Sequence, residues 1–120
     1  MKKILIVEDE QSLLKLLELT FKGSGYEVIK AINAEETYAA LAKKPDIILL
    51  DILLPGENGL DILDHLKKDE KTKAIPVIIL TNFNEPERLN KAKKKGAADY
   101  LIKSSNDPTT VLEKVQKYLV

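Results

Sequence analysis

Five apolar runs recur along the chain, and each is followed by a stretch with helical spacing. The runs are Lys3–Val7, Tyr26–Ala31, Ile47–Leu50, Val77–Leu80 and Asp99–Ile102. Three of them contain "ILIV", "IILL" and "VIIL", apolar at every position. That is the pattern of strands covered on both faces, as in a parallel sheet. The second run, "YEVIK", alternates, and the fifth, "ADYLIK", is short and mixed, which predicts edge strands.

Between the runs, the first helix has Leu13, Leu16, Leu17 and Thr20 at helical spacing. Asn33 with Glu36 three residues later predicts a capping box, and Pro45 stops that second helix. Leu60, Ile62, Leu63 and Leu66 give the third helix an apolar face. Pro86 suits a first helical turn, and Gly96 suits the end of the same fourth helix. Asp107 before Pro108 predicts a cap and first residue, with Val111, Leu112, Val115, Tyr118 and Leu119 as the inner stripe of the fifth helix.

Alternating strands and helices predict a doubly wound α/β fold. It has a parallel five-stranded sheet in the order 2-1-3-4-5 between two helical layers. Right-handed crossovers put helices one and five on one face and helices two, three and four on the other. The winding reverses between strands one and three, and ligands in such sheets bind there, outside the carboxyl ends of the strands.

The residues leaving those ends bring in the chemistry. Strand one is followed by Glu8, Asp9 and Glu10, strand three by Asp51, strand four by Thr81 and Asn82, and strand five by Lys103. Asp51 is followed within eight positions by Pro55, Gly56 and Gly59, residues that suit a sharp turn and close packing. Two carboxylates about 4 Å apart repel by about 4 kcal/mol at a surface-like dielectric, so this rim calls for a cation. Hard oxygen ligands suit Mg²⁺ or another divalent cation. A metal, a lysine and a hydroxyl around one carboxylate suit phosphoryl transfer to that carboxylate. Taken singly, each residue is more often a cap, a turn residue or a solvated charge. Their convergence from four strands favours a shared site.

Composition removes the competitors. The 120 residues correspond to one domain, 1–120, with 44% hydrophobic and 32% charged residues, a soluble globular balance. There is no cysteine, so thiolate metal centres are excluded, and with His65 the single histidine a histidine metal centre is not expected. Nineteen basic residues balance nineteen acidic ones, so bulk charge predicts neither nucleic-acid nor membrane binding. The apolar part of "MKKILIVEDE" is too short for a signal peptide or a membrane span, and a cytoplasmic protein is expected. "HLKK" around His65 faintly echoes a histidine phosphotransfer site, but that module is a helical bundle, and a surface histidine is expected. The basic stretch "NKAKKKG", 90–96, suits a solvated helix end.

The segments "ILIVEDE", "LLDILLPGENG", "ILTN" and "DYLIK" resemble the motifs of the bacterial two-component response regulator receiver domain, in particular its chemotaxis-regulator-like form. The resemblance runs over essentially the whole chain. It implies a flavodoxin-like (βα)5 three-layer sandwich in which Asp51 accepts a phosphoryl group. The donor would be the phosphohistidine of a sensor histidine kinase or phosphotransfer protein, or a small phosphodonor. It further implies metal binding by Asp9, Asp51 and the Leu53 backbone carbonyl, with Glu8 acting through water. Thr81 and Lys103 would bind the phosphoryl group, and Tyr100 would rotate inward on switching. The face of helix four, strand five and helix five would meet a downstream protein or a second copy. Such a domain catalyses its own phosphorylation and dephosphorylation without being a conventional enzyme. Three positions depart from the family's pattern. Glu8 stands for a frequent Asp, Asn82 follows Thr81 where Ala or Gly is common, and Ser104 follows Lys103 where Pro is common. A cis bond before Ser104 would cost about 2.5–4 kcal/mol.

Three other functions fit less well. A dehalogenase-type phosphatase wants a second Asp two residues after the nucleophile, where this chain has Leu53. An FMN carrier wants a hydroxyl-rich loop after strand one, where this chain has "EDEQS". A receiver-like binding module acting without phosphorylation would not need the acids, Thr81 and Lys103 together.

Overall fold

The structure is a computed structural model that describes residues 1–119. Its elements follow the predicted alternation. They are β1 (Lys3–Val7), α1 (Gln11–Gly23), β2 (Glu27–Ala31), α2 (Ala34–Ala40), β3 (Ile47–Leu50), α3 (Gly59–Lys68), β4 (Val77–Thr81), α4 (Pro86–Lys94), β5 (Asp99–Ile102) and α5 (Pro108–Gln116). Short 3₁₀ turns follow α2 and β5, at Leu41–Lys43 and Lys103–Ser105. All strand pairs are parallel, and the order is β2-β1-β3-β4-β5, as expected.

Successive residues of one strand serve opposite cores, which is why the central runs have no polar gaps. Leu5, Val7, Ile48, Leu50 and Ile79 pack under α2, α3 and α4. Ile4, Ile6, Ile47, Leu49, Ile78 and Leu80 pack under α1 and α5. The two-and-three division of helices is therefore the predicted one. A buried leucine or isoleucine side chain contributes about 1.5–3 kcal/mol, so these two layers carry most of the driving force.

The helix ends behave largely as their residues predict. Asn33 accepts from Glu36 N at 2.8 Å, while the Glu36 carboxylate accepts from Ile32 N, one residue before the cap, at 2.9 Å. The chain leaves this helical segment through Lys44, in the left-handed region at φ 54°, just before Pro45. Gly96 ends α4 at φ 101°, and Asp107 caps α5 by accepting from Thr110 N.

Four details differ from the sequence reading. Tyr26 lies outside β2, its ring packed edge-on against Phe21 at 5.2 Å. β4 runs one residue further, because Thr81 pairs with Ile102. In α1 the inner face is Leu14, Leu17 and Phe21, whereas Leu16 is 54% exposed. The leucine-rich run "LLKLL" fits the helical template in two rotations, and the bulk of Phe21 selects the other one. α5 ends at Gln116; Val111 and Val115 are fully buried and Leu112 and Leu119 pack partly buried against the same core as expected, while the Tyr118 hydroxyl donates to Ala98 O and Asp99.

Candidate phosphoryl and metal site

Strand register brings the acids together. Val7 lies opposite Leu50, so the next residues, Glu8 and Asp51, emerge side by side. Asp51 N donates to Val7 O at 3.1 Å and Glu8 N to Ala31 O at 3.0 Å, so both backbones stay in the sheet's hydrogen-bond pattern as the strands end. Asp51 is 4% exposed and Glu8 is 2% exposed, unusual for carboxylates unless they are paired.

The partner is Lys103. Its Nζ lies 2.7 Å from Asp51 Oδ2 and 2.7 Å from Glu8 Oε1. Glu8 Oε2 accepts from Glu10 N at 3.0 Å, and Asp51 Oδ1 accepts from Leu53 N at 3.3 Å. Glu10 itself turns outward before α1. Burial pushes the Glu8 carboxyl above its ordinary range, and the bonds from Lys103 and Glu10 N offset only part of that. Burial also disfavours the charge on Lys103, but its hydrogen bonds to Asp51 and Glu8 outweigh it and hold the ammonium pKa up.

Asp9 is exposed and completes an acidic group with Glu8 and Asp51, their carboxylate oxygens lying within 4.8 Å of one another. Three carboxylates face one ammonium. The donor set fits a hard divalent cation.

The β3–α3 loop fixes Asp51 from behind. Gly59 N donates to Ile52 O at 2.7 Å. A Cβ on Gly59 would fall 2.1 Å from Asp51 O and 2.7 Å from Ile52 Cα. Gly56 turns the same loop at φ 90°, so both glycines serve turn and packing.

Thr81 is buried at the end of β4, and its hydroxyl accepts from Phe83 N at 3.4 Å. With Asp51, Leu53, Asn82, Phe83 and Lys103 it lines a cleft of about 230 Å³. Asn82 Oδ1 accepts from Ser104 N at 3.2 Å, a bond that proline at 104 would exclude. The Lys103–Ser104 peptide is trans, as are all peptide bonds among the described residues. Tyr100 is already turned inward, with its ring buried and its hydroxyl donating to Phe83 O at 2.7 Å.

Two polar clusters escaped the sequence reading. His65, on the surface as expected, lies 2.7 Å from the Tyr38 hydroxyl and 3.1 Å from Glu57. The Tyr38 hydroxyl donates to Glu57 at 2.6 Å, tying α2 to the loop before α3. Glu18, buried on α1, draws Lys22 and Lys30 to 2.9 and 3.2 Å. The first cluster has no local motif because α2 and the loop before α3 meet only in the fold, whereas Glu18 and Lys22 stand at i,i+4 on α1, a spacing readable in the sequence, and only Lys30 comes from β2.

Residues 4–116 match the family model described as the response regulator receiver domain. The protein PilH of Pseudomonas aeruginosa is 39% identical over 110 residues, covering 91% of each chain. The phosphate regulon transcriptional regulatory protein PhoB of the same species is 39% identical over 103 residues. That match takes in 85% of this chain but 45% of PhoB, so the chain spans under half the length of this relative. Among solved structures, the chemotaxis protein CheY4 of Vibrio cholerae superposes with a TM-score of 0.90 at 29% identity, covering 98% of both chains. A CheY-like receiver domain protein from Methanospirillum hungatei also gives 0.90 at 29% identity, covering 99% of this chain and 94% of that one. Among the described residues, no helix is long and apolar enough to cross a membrane.

Proposed function

This chain belongs to the response regulator receiver family, and from that membership we propose that Asp51 is its phosphoryl acceptor. The observation that carries the assignment is the shared ammonium. Lys103 Nζ sits 2.7 Å from one Asp51 oxygen and 2.7 Å from Glu8, a charge poised where a phosphoryl group on Asp51 would bring its oxygens. The intact group of Glu8, Asp9, Asp51, Thr81 and Lys103 disfavours a binding module acting without phosphorylation.

The reaction is an in-line displacement. An Asp51 oxygen bonds to phosphorus as the bond to the donor breaks, a P–N bond for phosphohistidine or a P–O bond for an acyl phosphate. The electron pair leaves with the donor. Lys103 compensates charge on the phosphoryl oxygens, and the Thr81 hydroxyl donates a hydrogen bond to one of them. Asp9, Asp51 and the Leu53 carbonyl would hold Mg²⁺ or another divalent cation, with Glu8 reaching it through water. When bound, this ion neutralises phosphoryl oxygens. Hydrolysis of the same acyl phosphate resets the domain.

The proposed donor is a sensor histidine kinase or phosphotransfer protein, in the cytoplasm. The proposed output surface is α4, β5 and α5, offered to a downstream protein or a second copy. Residues 1–120 form a single receiver unit on this reading. Incubation with acetyl phosphate and Mg²⁺ should add one acid-stable, base-labile phosphoryl group by mass spectrometry. Asp51→Asn should remove it without unfolding the chain; equal labelling of that variant would refute the assignment.

A further inference from the structure

We propose that Asn82 is a phosphoryl-binding residue whose carboxamide is oriented by the backbone of Ser104; the inference rests on Asp51 being the acceptor. Asn82 directly follows Thr81 and lines the cleft with Asp51, Thr81 and Lys103. Its Oδ1 accepts from Ser104 N at 3.2 Å. A backbone N–H can only donate, so this bond determines which end of the amide faces Ser104. Asn82 is exposed at the cleft, and the other end of its amide, Nδ2, carries two N–H donors that no protein acceptor among the described residues engages.

Charge gives that donor a task. A phosphoryl group bound to a side chain carries roughly −1.5 to −2 charge at neutral pH and offers three strong acceptor oxygens. The single ammonium at this rim is already shared between Asp51 and Glu8, with Asp9 adjacent. A neutral donor to an anionic oxygen makes a shorter and stronger hydrogen bond than a neutral pair does. Asn82 supplies such a donor without a further side-chain charge. Ser104 orients it, because the bond it makes to Oδ1 leaves Nδ2 as the end of the amide that can meet an acceptor. The two departures from the family pattern, at 82 and 104, therefore form one unit, in which the residue at 104 aims the residue at 82.

Two measurements test this. Beryllofluoride with Mg²⁺, an acyl-phosphate mimic, is titrated into ¹⁵N-labelled protein. The Asn82 side-chain amide pair should shift downfield alongside the backbone amides near Asp51. Backbone shifts with a motionless Asn82 side chain would overturn the proposal. If nothing near Asp51 moves, the acceptor reading itself fails, and this proposal with it. The second measurement is the phosphorylation rate with phosphoramidate and Mg²⁺. Asn82→Asp keeps an acceptor for Ser104 N–H and loses the donor, whereas Asn82→Leu is similar in shape, uncharged and donor-free. Both should slow phosphorylation about tenfold, the scale of one charge-assisted hydrogen bond. A slow Asp variant beside a Leu variant at the parent rate would reduce the effect to charge and refute donation. Unfolding curves superposable on the parent's identify the variants whose rates bear on the proposal, and the titration decides it if none qualifies.

Discussion

Gly59 and Asp51 touch through their backbones: the space a side chain at 59 would need is filled by the Asp51 carbonyl oxygen, 2.1 Å from the position of a Cβ. The obstacle is backbone rather than a flexible side-chain tip, so the strand end and the start of α3 cannot both stay in place. Gly59→Ala should therefore destabilise the protein by about 1–3 kcal/mol, the usual cost of forcing extra volume into a packed site. It should also slow phosphorylation, because the displaced element carries Asp51. Urea unfolding and acetyl phosphate labelling of the same variant check both parts. Parent-like stability would mean that the loop yields more easily than its contacts imply.

Glu18 sets a pH dependence remote from the cleft. Hydrogen bonds from Lys22 and then Lys30 lower its pKa from 4.5 to about 2. A carboxyl whose folded pKa lies below its unfolded value binds protons less readily in the folded state. Its contribution is fully present above pH 4.5 and is lost as the pH falls from there towards about 2. Glu18→Gln should accordingly flatten the acid limb of the stability profile and cost most at neutral pH. Unfolding midpoints across that window measure it, and parallel profiles for parent and variant would refute it.

Leu53 and Phe83 bear on how long the acyl phosphate survives. Both line the cleft, and Leu53 is 66% exposed, an apolar side chain held out over the entrance. Neither can orient a water for attack on phosphorus, and both exclude it. Leu53→Asn should accelerate phosphate loss by about tenfold, a barrier change of about 1.4 kcal/mol. Phe83 is the less clean site, since Arg88 stacks over its ring at 3.9 Å and would lose that contact. Phosphate release followed at fixed Mg²⁺ provides the test; an unaltered lifetime in Leu53→Asn would show that apolar cover does not set the rate.

Tyr100 holds the β4–α4 loop from within through its bond to Phe83 O. Tyr100→Phe keeps the buried ring and deletes that bond, at a cost of about 0.5–1.5 kcal/mol. The loosening should be local, with faster amide hydrogen exchange after Thr81 and little change in β1–β3. Uniformly faster exchange across the sheet would instead indicate a global role for the hydroxyl.

These residues also mark how far the sequence was legible. Strand positions, strand order and the gathering of Glu8, Asp9, Asp51, Thr81 and Lys103 follow from local patterns combined with the handedness of parallel crossovers, which are strong constraints. The inner face of α1 did not follow, because adjacent leucines satisfy two helical rotations and the choice depends on where Phe21 finds room. The inward setting of Tyr100 was legible as a residue but not as a rotamer. The bonds of Asn82 to Ser104 and of Tyr38 to Glu57 link residues 22 and 19 positions apart across loops, where no periodicity reaches.

The neighbouring ends of β1 and β3 and the distant origin of Lys103 have a consequence for biosynthesis. Glu8 follows the first strand to leave the ribosome, whereas Lys103 follows the last, and β5 can dock only against a completed β4. A partly made chain can pair β1 with β3 and bring Glu8 beside Asp51, but it has no ammonium between them. A chain that ends before β5 therefore holds its paired acids without the lysine that stands between them in the finished sheet.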